Sequence, residues 1–291
     1  MKNIEQDLLE NLHANKIDEL FSRFKDLIFP EEEYEYEEIF PKVLIYKNIF
    51  SSPEKITKIL KESSLEPEES FYFKDWSQWG GFDSSVIFGK YVLMIGKDFN
   101  NKKHLLSGEE KDLYLKKARE EFSIIIEVVK GFFAATNHFM KKYDIKKGES
   151  WTHTPPSFCR YMPNNDLDNE LFMQFHTDYI IDRASEPGDK FAITTTMYFN
   201  DDYDGGEIVF KIKNKKFAYK PKAGDLLVFP SGHPSVLMQG EDPIMHAVNP
   251  IGMNGPDRYI VRMFHQIRSE GDDVQKIIAD NILKGQQEGG N

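Results

Sequence analysis

One tripeptide in the 291 residues raises a chemical question: His176-Thr177-Asp178. On a β-strand the side chains at i and i+2 point to the same face, so imidazole and carboxylate can converge on one ion. With 8 His and 22 Asp in the chain, chance alone supplies about 0.6 such pairs. The plain alternative is an aspartate that orients a strand histidine. His246, 68 residues after Asp178, offers a second imidazole. Two histidines and one carboxylate on one face of a metal make the facial triad of non-haem Fe(II) sites, with positions left open for a co-substrate and dioxygen. Arg258, twelve residues further on, opens the run Arg258-Tyr259-Ile260-Val261. A guanidinium there could hold a carboxylate through two parallel hydrogen bonds.

The elements that must position these groups are short. From Phe158 onward, runs rich in β-branched and aromatic residues alternate with Gly, Pro, Asn and Asp clusters. The runs are Leu171–Tyr179, Phe191–Asn200, Glu207–Ile212, Phe217–Lys220, Asp225–Phe229, Ile244–Val248 and Arg258–Ile267. Short strands broken by turn signals predict a sandwich or barrel rather than a parallel sheet with crossover helices. Upstream the texture is mostly helical, with one strand at Val43–Tyr46. Ile17, Leu20, Phe21, Phe24, Leu27 and Ile28 form one amphipathic stripe. Ser52-Pro53 predicts a helix to about Ser63. The capping box Ser107…Glu110 predicts another to about Lys142, with a kink at Gly131. The expectation is a helical N-terminal half packed on a C-terminal β-sandwich.

Five segments, in order, then carry a resemblance. They are His176-Thr177-Asp178; Met197 through Glu207, with Asn200-Asp201-Asp202-Tyr203-Asp204-Gly205-Gly206 at its centre; Pro221 through Ser231, with Ala223-Gly224-Asp225 and Phe229-Pro230-Ser231; His246-Ala247-Val248-Asn249-Pro250; and Arg258-Tyr259. The segment from about Tyr161 to Gln266 resembles the catalytic domain of the Fe(II)/2-oxoglutarate-dependent dioxygenases, in the prolyl 4-hydroxylase-like branch. The resemblance implies an α+β protein with a double-stranded β-helix core, a jelly-roll relative of the cupins. It implies Fe(II) on His176, Asp178 and His246. It implies 2-oxoglutarate held at its distal carboxylate by Arg258 and Tyr198, with Tyr161 bordering the pocket, dioxygen as oxidant and ascorbate as an accessory reductant. The implied reaction hydroxylates an unactivated C–H bond, with a prolyl residue of a peptide or protein as leading substrate; a free amino acid and peptidyl lysine stay open. The implied division is an extension with an acidic linker over 1–40, a helical support region over 41–157, the core over 158–268 and a short helix with a tail over 269–291.

Two departures from the family pattern matter. The link between Ser231 and His246 is long and carries His233, a rival second imidazole, although the His-Ala-Val-Asn-Pro context favours His246. Arg262 lies on the same strand face as Arg258, where relatives often have a small polar residue. It could reach the co-substrate, bind an acidic group of the substrate, or pair with a structural carboxylate. The aromatic stretch Phe71–Phe82, with Gly80-Gly81, reads either as a mobile substrate-mouth loop or as packing between helices and sandwich. His13, His104, His138, His153 and His265 read as structural, Cys159 as a packed strand residue, and Asp166, Asp168, Asp201, Asp202 and Asp204 as turn residues.

Composition narrows the alternatives. The formal net charge is −11 and the pI about 5.3, which argues against a nucleic-acid demethylase on the same scaffold despite the basic run Lys211–Lys216. A mean hydropathy of −0.53 with 40% apolar residues reads as soluble and globular, with no membrane partner. A single cysteine permits no intrachain disulfide, and the start has no signal-like apolar stretch, so a reduced, cytoplasmic protein is expected. A cupin-like metal binder that oxidises nothing is the rival class; it would need the triad but neither Arg258 nor Tyr198.

Overall fold

A computed structural model describes residues 34–50, 52–65, 76–79, 82–86, 107–145, 151–153, 156–163, 173–178, 191–232, 242–253 and 255–267. In chain order the elements are β1 (Tyr36–Phe40), β2 (Val43–Tyr46), α1 (Pro53–Leu65), β3 (Trp76–Trp79), β4 (Phe82–Val86), α2 (Gly108–Lys142), β5 (Trp151–His153), β6 (Ser157–Tyr161) and β7 (Met173–His176). They continue with β8 (Phe191–Tyr198), β9 (Ile208–Ile212), β10 (Lys215–Tyr219), β11 (Leu226–Pro230), β12 (Met245–Val248) and β13 (Arg258–Ile267). The major sheet runs β1-β2-β11-β8-β13-β6-β4-β3, with β5 also paired to β13; the minor sheet runs β10-β9-β12-β7. From β6 to β13 the chain shuttles between the sheets, so that β8, β11 and β13 each lie between partners distant in sequence, while β9 and β10 form a hairpin. That is jelly-roll winding, and every pairing among the described strands is antiparallel.

Period-2 alternation assigns the two faces of the major sheet different neighbours. On β13, Tyr259, Val261 and Met263 join the core against the helices, while Ile260 joins the core between the sheets. On β11, Leu226 and Val228 face the helices, and Leu227 and Phe229 face the minor sheet. Helix α2 lays Val128, Val129, Phe132, Phe133 and Phe139 on the outer face. Burying each such side chain is worth roughly 1.5–3 kcal/mol. Gly131 lets the helix come close: a Cβ there would meet Ile49 Cγ2 and Met197 Cε, each at 3.1 Å. Where α2 crosses β8, the Thr136 hydroxyl donates to Phe132 O (2.8 Å) and lies 3.3 Å from the Thr195 hydroxyl, so both buried polar groups are satisfied.

Two of the expected helices are present, over Pro53–Leu65 and Gly108–Lys142, the latter running on through Gly131. The upstream half as a whole is not helical, however. It contributes five strands to the major sheet, including β1 within the acidic run expected to be a linker. Charge misleads there, because Glu35 and Glu37 lie on the exposed edge and pair with Lys47 (3.5 and 2.9 Å). Part of the aromatic stretch is likewise the β3–β4 ribbon, paired through β4 to β6. The expected helices at 17–28 and 273–283, and His13, His104, Asp166, Asp168 and His233, lie outside the described residues. No described helix is long and apolar enough to cross a membrane.

Candidate metal and keto-acid site

The two histidines meet because β7 and β12 are neighbours in the minor sheet and His176 is the direct cross-strand partner of His246. Their ring centroids are 4.3 Å apart. The strand-period argument accounts for only part of the rest. β7 stops at His176, and Asp178 lies in the bend that follows it, so its carboxylate converges by leaving the strand. Asp178 Oδ1 lies 3.7 Å from His176 Nε2, and Oδ2 lies 3.6 Å from His246 Nε2. The three ligand atoms fall within 4.8 Å of one another.

These donors fit a hard-to-intermediate divalent ion. At metal bonds of about 2.1 Å and right angles, adjacent donors sit about 3 Å apart; the three here are slightly wider and too far apart to hydrogen-bond one another. His176 Nδ1–H donates to Gln174 O (2.8 Å), which leaves the Nε2 lone pair for a metal. His246 Nδ1 is buried with no hydrogen-bond partner among the described residues. Burial holds the His246 imidazole down at about 4 against the pull of Asp178, so it stays neutral. Burial alone would raise the Asp178 carboxyl, but the two imidazoles and the Thr194 hydroxyl bring it to about 2. His176 is lowered by burial but raised more by Asp178 and the Gln174 carbonyl, so it ends above the ordinary range. A ferrous ion needs the carboxylate ionised and both Nε2 lone pairs free; Asp178 and His246 already meet that, and a proton on His176 would be displaced by the metal.

Thr194 completes the metal end. Its hydroxyl donates to Asp178 Oδ2 (2.5 Å) and lies 2.6 Å from the Ser231 hydroxyl. Sequence reading missed Thr194, although it shares the parity of Thr196 and Tyr198 on β8, and Ser231 was noted only as part of a motif.

The other end of the same cavity is built around Arg258, which is 1% exposed. Its cross-strand partner is Tyr161, whose ring lies 4.2 Å from the guanidinium carbon; the Tyr203 and Tyr198 rings follow at 5.9 and 6.0 Å. Nη1 donates to Gly206 O (2.7 Å). Nε has no hydrogen-bond partner among the described residues. Burial raises the Tyr198 and Tyr161 phenols, against the opposing pull of Arg258, so both stay protonated. Arg262 lines the cavity too, four residues along the inward face of β13 and opposite Thr196 on β8. The structure thus brings together His176, Asp178, His246, Arg258, Tyr198, Tyr161 and Arg262 in one cavity, walled by Ile208, Phe229, Ile260 and Phe264.

His138 and His265 are held in the core away from the triad. His138 bonds the Tyr46 hydroxyl (2.5 Å), and His265 stacks on Phe132 at 4.9 Å. Cys159 is buried on β6. Asp202 and Asp204 accept turn bonds from Asn200 and Gly205.

Residues 158–266 match the family model described as the 2OG-Fe(II) oxygenase superfamily. A sequence search of curated proteins finds no match. Among solved structures, the chain is similar to a prolyl-4-hydroxylase from Pseudomonas putida at 13% identity, covering 78% of this chain and 94% of that one, TM-score 0.41. It is similar to a prolyl hydroxylase from Trichoplax adhaerens in complex with a hypoxia inducible factor peptide fragment, at 14% identity, 88% and 94% coverage and TM-score 0.44. It is also similar to an Arabidopsis thaliana dioxygenase for auxin oxidation, at 11% identity, 91% and 92% coverage and TM-score 0.46. Similarities of this size decide nothing about substrate. Superfamily members use Fe(II), 2-oxoglutarate and dioxygen, and the matched segment here contains all three triad residues in ligand geometry. That match and that triad place residues 158–266 with the 2OG-Fe(II) oxygenase superfamily.

Proposed function

We propose that this oxygenase hydroxylates an unactivated C–H bond of a prolyl residue in a peptide or protein. The observation that carries the chemistry is one cavity with a His/Asp/His triad at one end and a fully buried guanidinium at the other. His176, Asp178 and His246 would hold Fe(II), which would supply dioxygen activation coupled to decarboxylation of 2-oxoglutarate to succinate and CO2. The protein's part is placement. Arg258 takes the distal carboxylate of 2-oxoglutarate in charge-assisted hydrogen bonds, and the neutral Tyr198 phenol donates to the same group. The Tyr161 ring packs on the guanidinium and keeps it desolvated. Thr194 holds one oxygen of Asp178, turning the other toward the metal position. Phe229, Ile260 and Phe264 exclude water between the two ends.

The prolyl substrate is supported by the resemblance of the five ordered segments to the prolyl 4-hydroxylase-like branch. A second reading, a free amino acid, is favoured by Arg262 on the cavity wall, since a guanidinium there suits a substrate carboxylate. Purified protein with Fe(II) and 2-oxoglutarate under anaerobic conditions should develop the visible charge-transfer band of a bidentate keto-acid chelate, and His176→Ala should lose it. With oxygen and a library of proline-containing peptides, succinate release should track the appearance of a hydroxylated peptide by mass spectrometry. Turnover of free amino acids with no peptide product would replace the first reading with the second. No band with tightly bound metal would overturn the oxygenase chemistry itself.

A further inference from the structure

Three polar contacts converge on the turn after β8, and only one involves a residue assigned to the site. Arg258 Nη1 donates to Gly206 O. The Lys220 ammonium, just past β10, donates to Tyr203 O (2.8 Å) and to Gly205 O, and sits 3.8 Å above the Tyr203 ring. Two cations from distant parts of the chain thus hold the Tyr203, Gly205 and Gly206 carbonyls of one turn. The turn has no slack. Gly205 and Gly206 lie at φ +65° and +69°, and a Cβ on Gly205 would fall 2.3 Å from Pro250 O. Gly206 N–H donates to Pro250 O and Gly252 N–H to Asp204 O, each at 2.8 Å. These bonds tie the turn to the segment between β12 and β13, and Lys220 ties it to the end of β10.

We infer that Lys220 is a positioning residue for co-substrate recognition: by clamping the Tyr203–Gly206 turn it sets the carbonyl that aims the Arg258 guanidinium at the distal carboxylate of 2-oxoglutarate. This rests on the reading of Arg258 above. Without the ammonium, two carbonyls lose their donor, the turn loses its link to β10, and Gly206 O no longer fixes the guanidinium plane. Among the described residues, the hydrogen bonds of the triad and Thr194 involve none of the clamp's residues.

The test compares two keto acids on the anaerobic Fe(II) protein, each titrated by its visible chelate band. 2-Oxoglutarate carries the distal carboxylate; 2-oxobutyrate does not. Lys220→Met should raise the 2-oxoglutarate concentration for half-saturation about tenfold and leave 2-oxobutyrate and Fe(II) binding unchanged. Lys220→Arg should restore most of the loss. In an Arg258→Met background, Lys220→Met should add nothing, because its effect runs through the guanidinium. If Lys220→Met does not fold, Lys220→Gln, which keeps an uncharged amide donor on a shorter reach, should give the same pattern at smaller amplitude. Equal weakening of both keto acids, or an additive double variant, overturns the positioning role while leaving Arg258 in place. An Arg258→Met protein that binds 2-oxoglutarate like the parent overturns both.

Discussion

The two faces of the major sheet are built from the same strands and do opposite work. On β13, Tyr259, Val261 and Met263 pack against α2 and its neighbours, while Arg258 and Arg262, interleaved with them, line the cavity. On β8, Met197 faces the helices while Thr194, Thr196 and Tyr198 face the site. The outer face is closed and apolar, and each residue adds burial energy. The inner face buries a guanidinium, hydroxyls and phenols whose desolvation is offset only through specific partners. Stability and chemistry are therefore separated by a single residue step along the chain, and substitutions on the two faces should have separable consequences.

The largest expected effect is on the outer face. Phe132→Ala removes a ring that is 1% exposed and stacked on His265. It should cost about 3–5 kcal/mol in denaturant unfolding, with the 2-oxoglutarate titration of the folded protein unchanged. A shift in that titration would show that the faces are coupled. Arg258→Met reverses the pattern. The concentration of 2-oxoglutarate needed for the chelate band should rise about a hundredfold, while the unfolding midpoint moves little and Fe(II) still binds.

Thr194→Val sharpens the comparison at constant shape. Losing the hydroxyl between Asp178 and Ser231 should weaken Fe(II) binding about tenfold, measured by metal titration under anaerobic conditions, with the melting temperature near that of the parent.

The smallest effect is one of pH on the apoprotein. His246 titrates at about 4 in the folded chain, against about 6.5 when unfolded. The unfolded chain therefore takes up a proton that the folded chain refuses, and stability falls as pH drops from about 6.5 toward 4. His176, raised above its ordinary value, works in the opposite sense: its folded-state proton adds stability at low pH that is lost as pH rises through its folded pKa. Asp178, lowered to about 2, withdraws its stabilisation only as pH falls below about 4. The melting temperature should drop modestly between pH 7 and 5, and His246→Gln should flatten or invert that slope. An unchanged slope would place the titration elsewhere.

Much of the inner face was legible in advance, because a strand's alternation carries one residue's assignment to the next. Once Arg258 and Tyr198 were placed inward, Ile260, Arg262 and Thr196 followed, and all of them line the cavity. Where regular periodicity stopped, the reading weakened. Asp178 reaches the site from a bend rather than a strand, and Thr194 holds it across a separation of 16 residues. Lys220 reads in sequence only as the end of the strand run Phe217–Lys220, yet it holds a turn 15 residues upstream. Of the five upstream strands Val43–Tyr46 was legible and the other four were not; Tyr36–Phe40 was missed because an edge strand carries charged residues that discourage further pairing, and local charge then mimics a linker.

The sequence by itself determined what local chemistry can encode. That includes the ligand types and their order, the strand series and the two helices with their caps. It includes the alternation that divides an apolar face from a polar one. The tertiary structure decided what depends on partners distant in the chain. It made His176 and His246 cross-strand neighbours through the β7–β12 pairing, since register between strands is set by the whole sandwich rather than by either strand. It buried Arg258 among three tyrosines drawn from three segments, and so gave an ordinary strand arginine the desolvated surroundings in which a carboxylate is held strongly. Charge and type are written residue by residue; their strength depends on the water that the folded chain excludes.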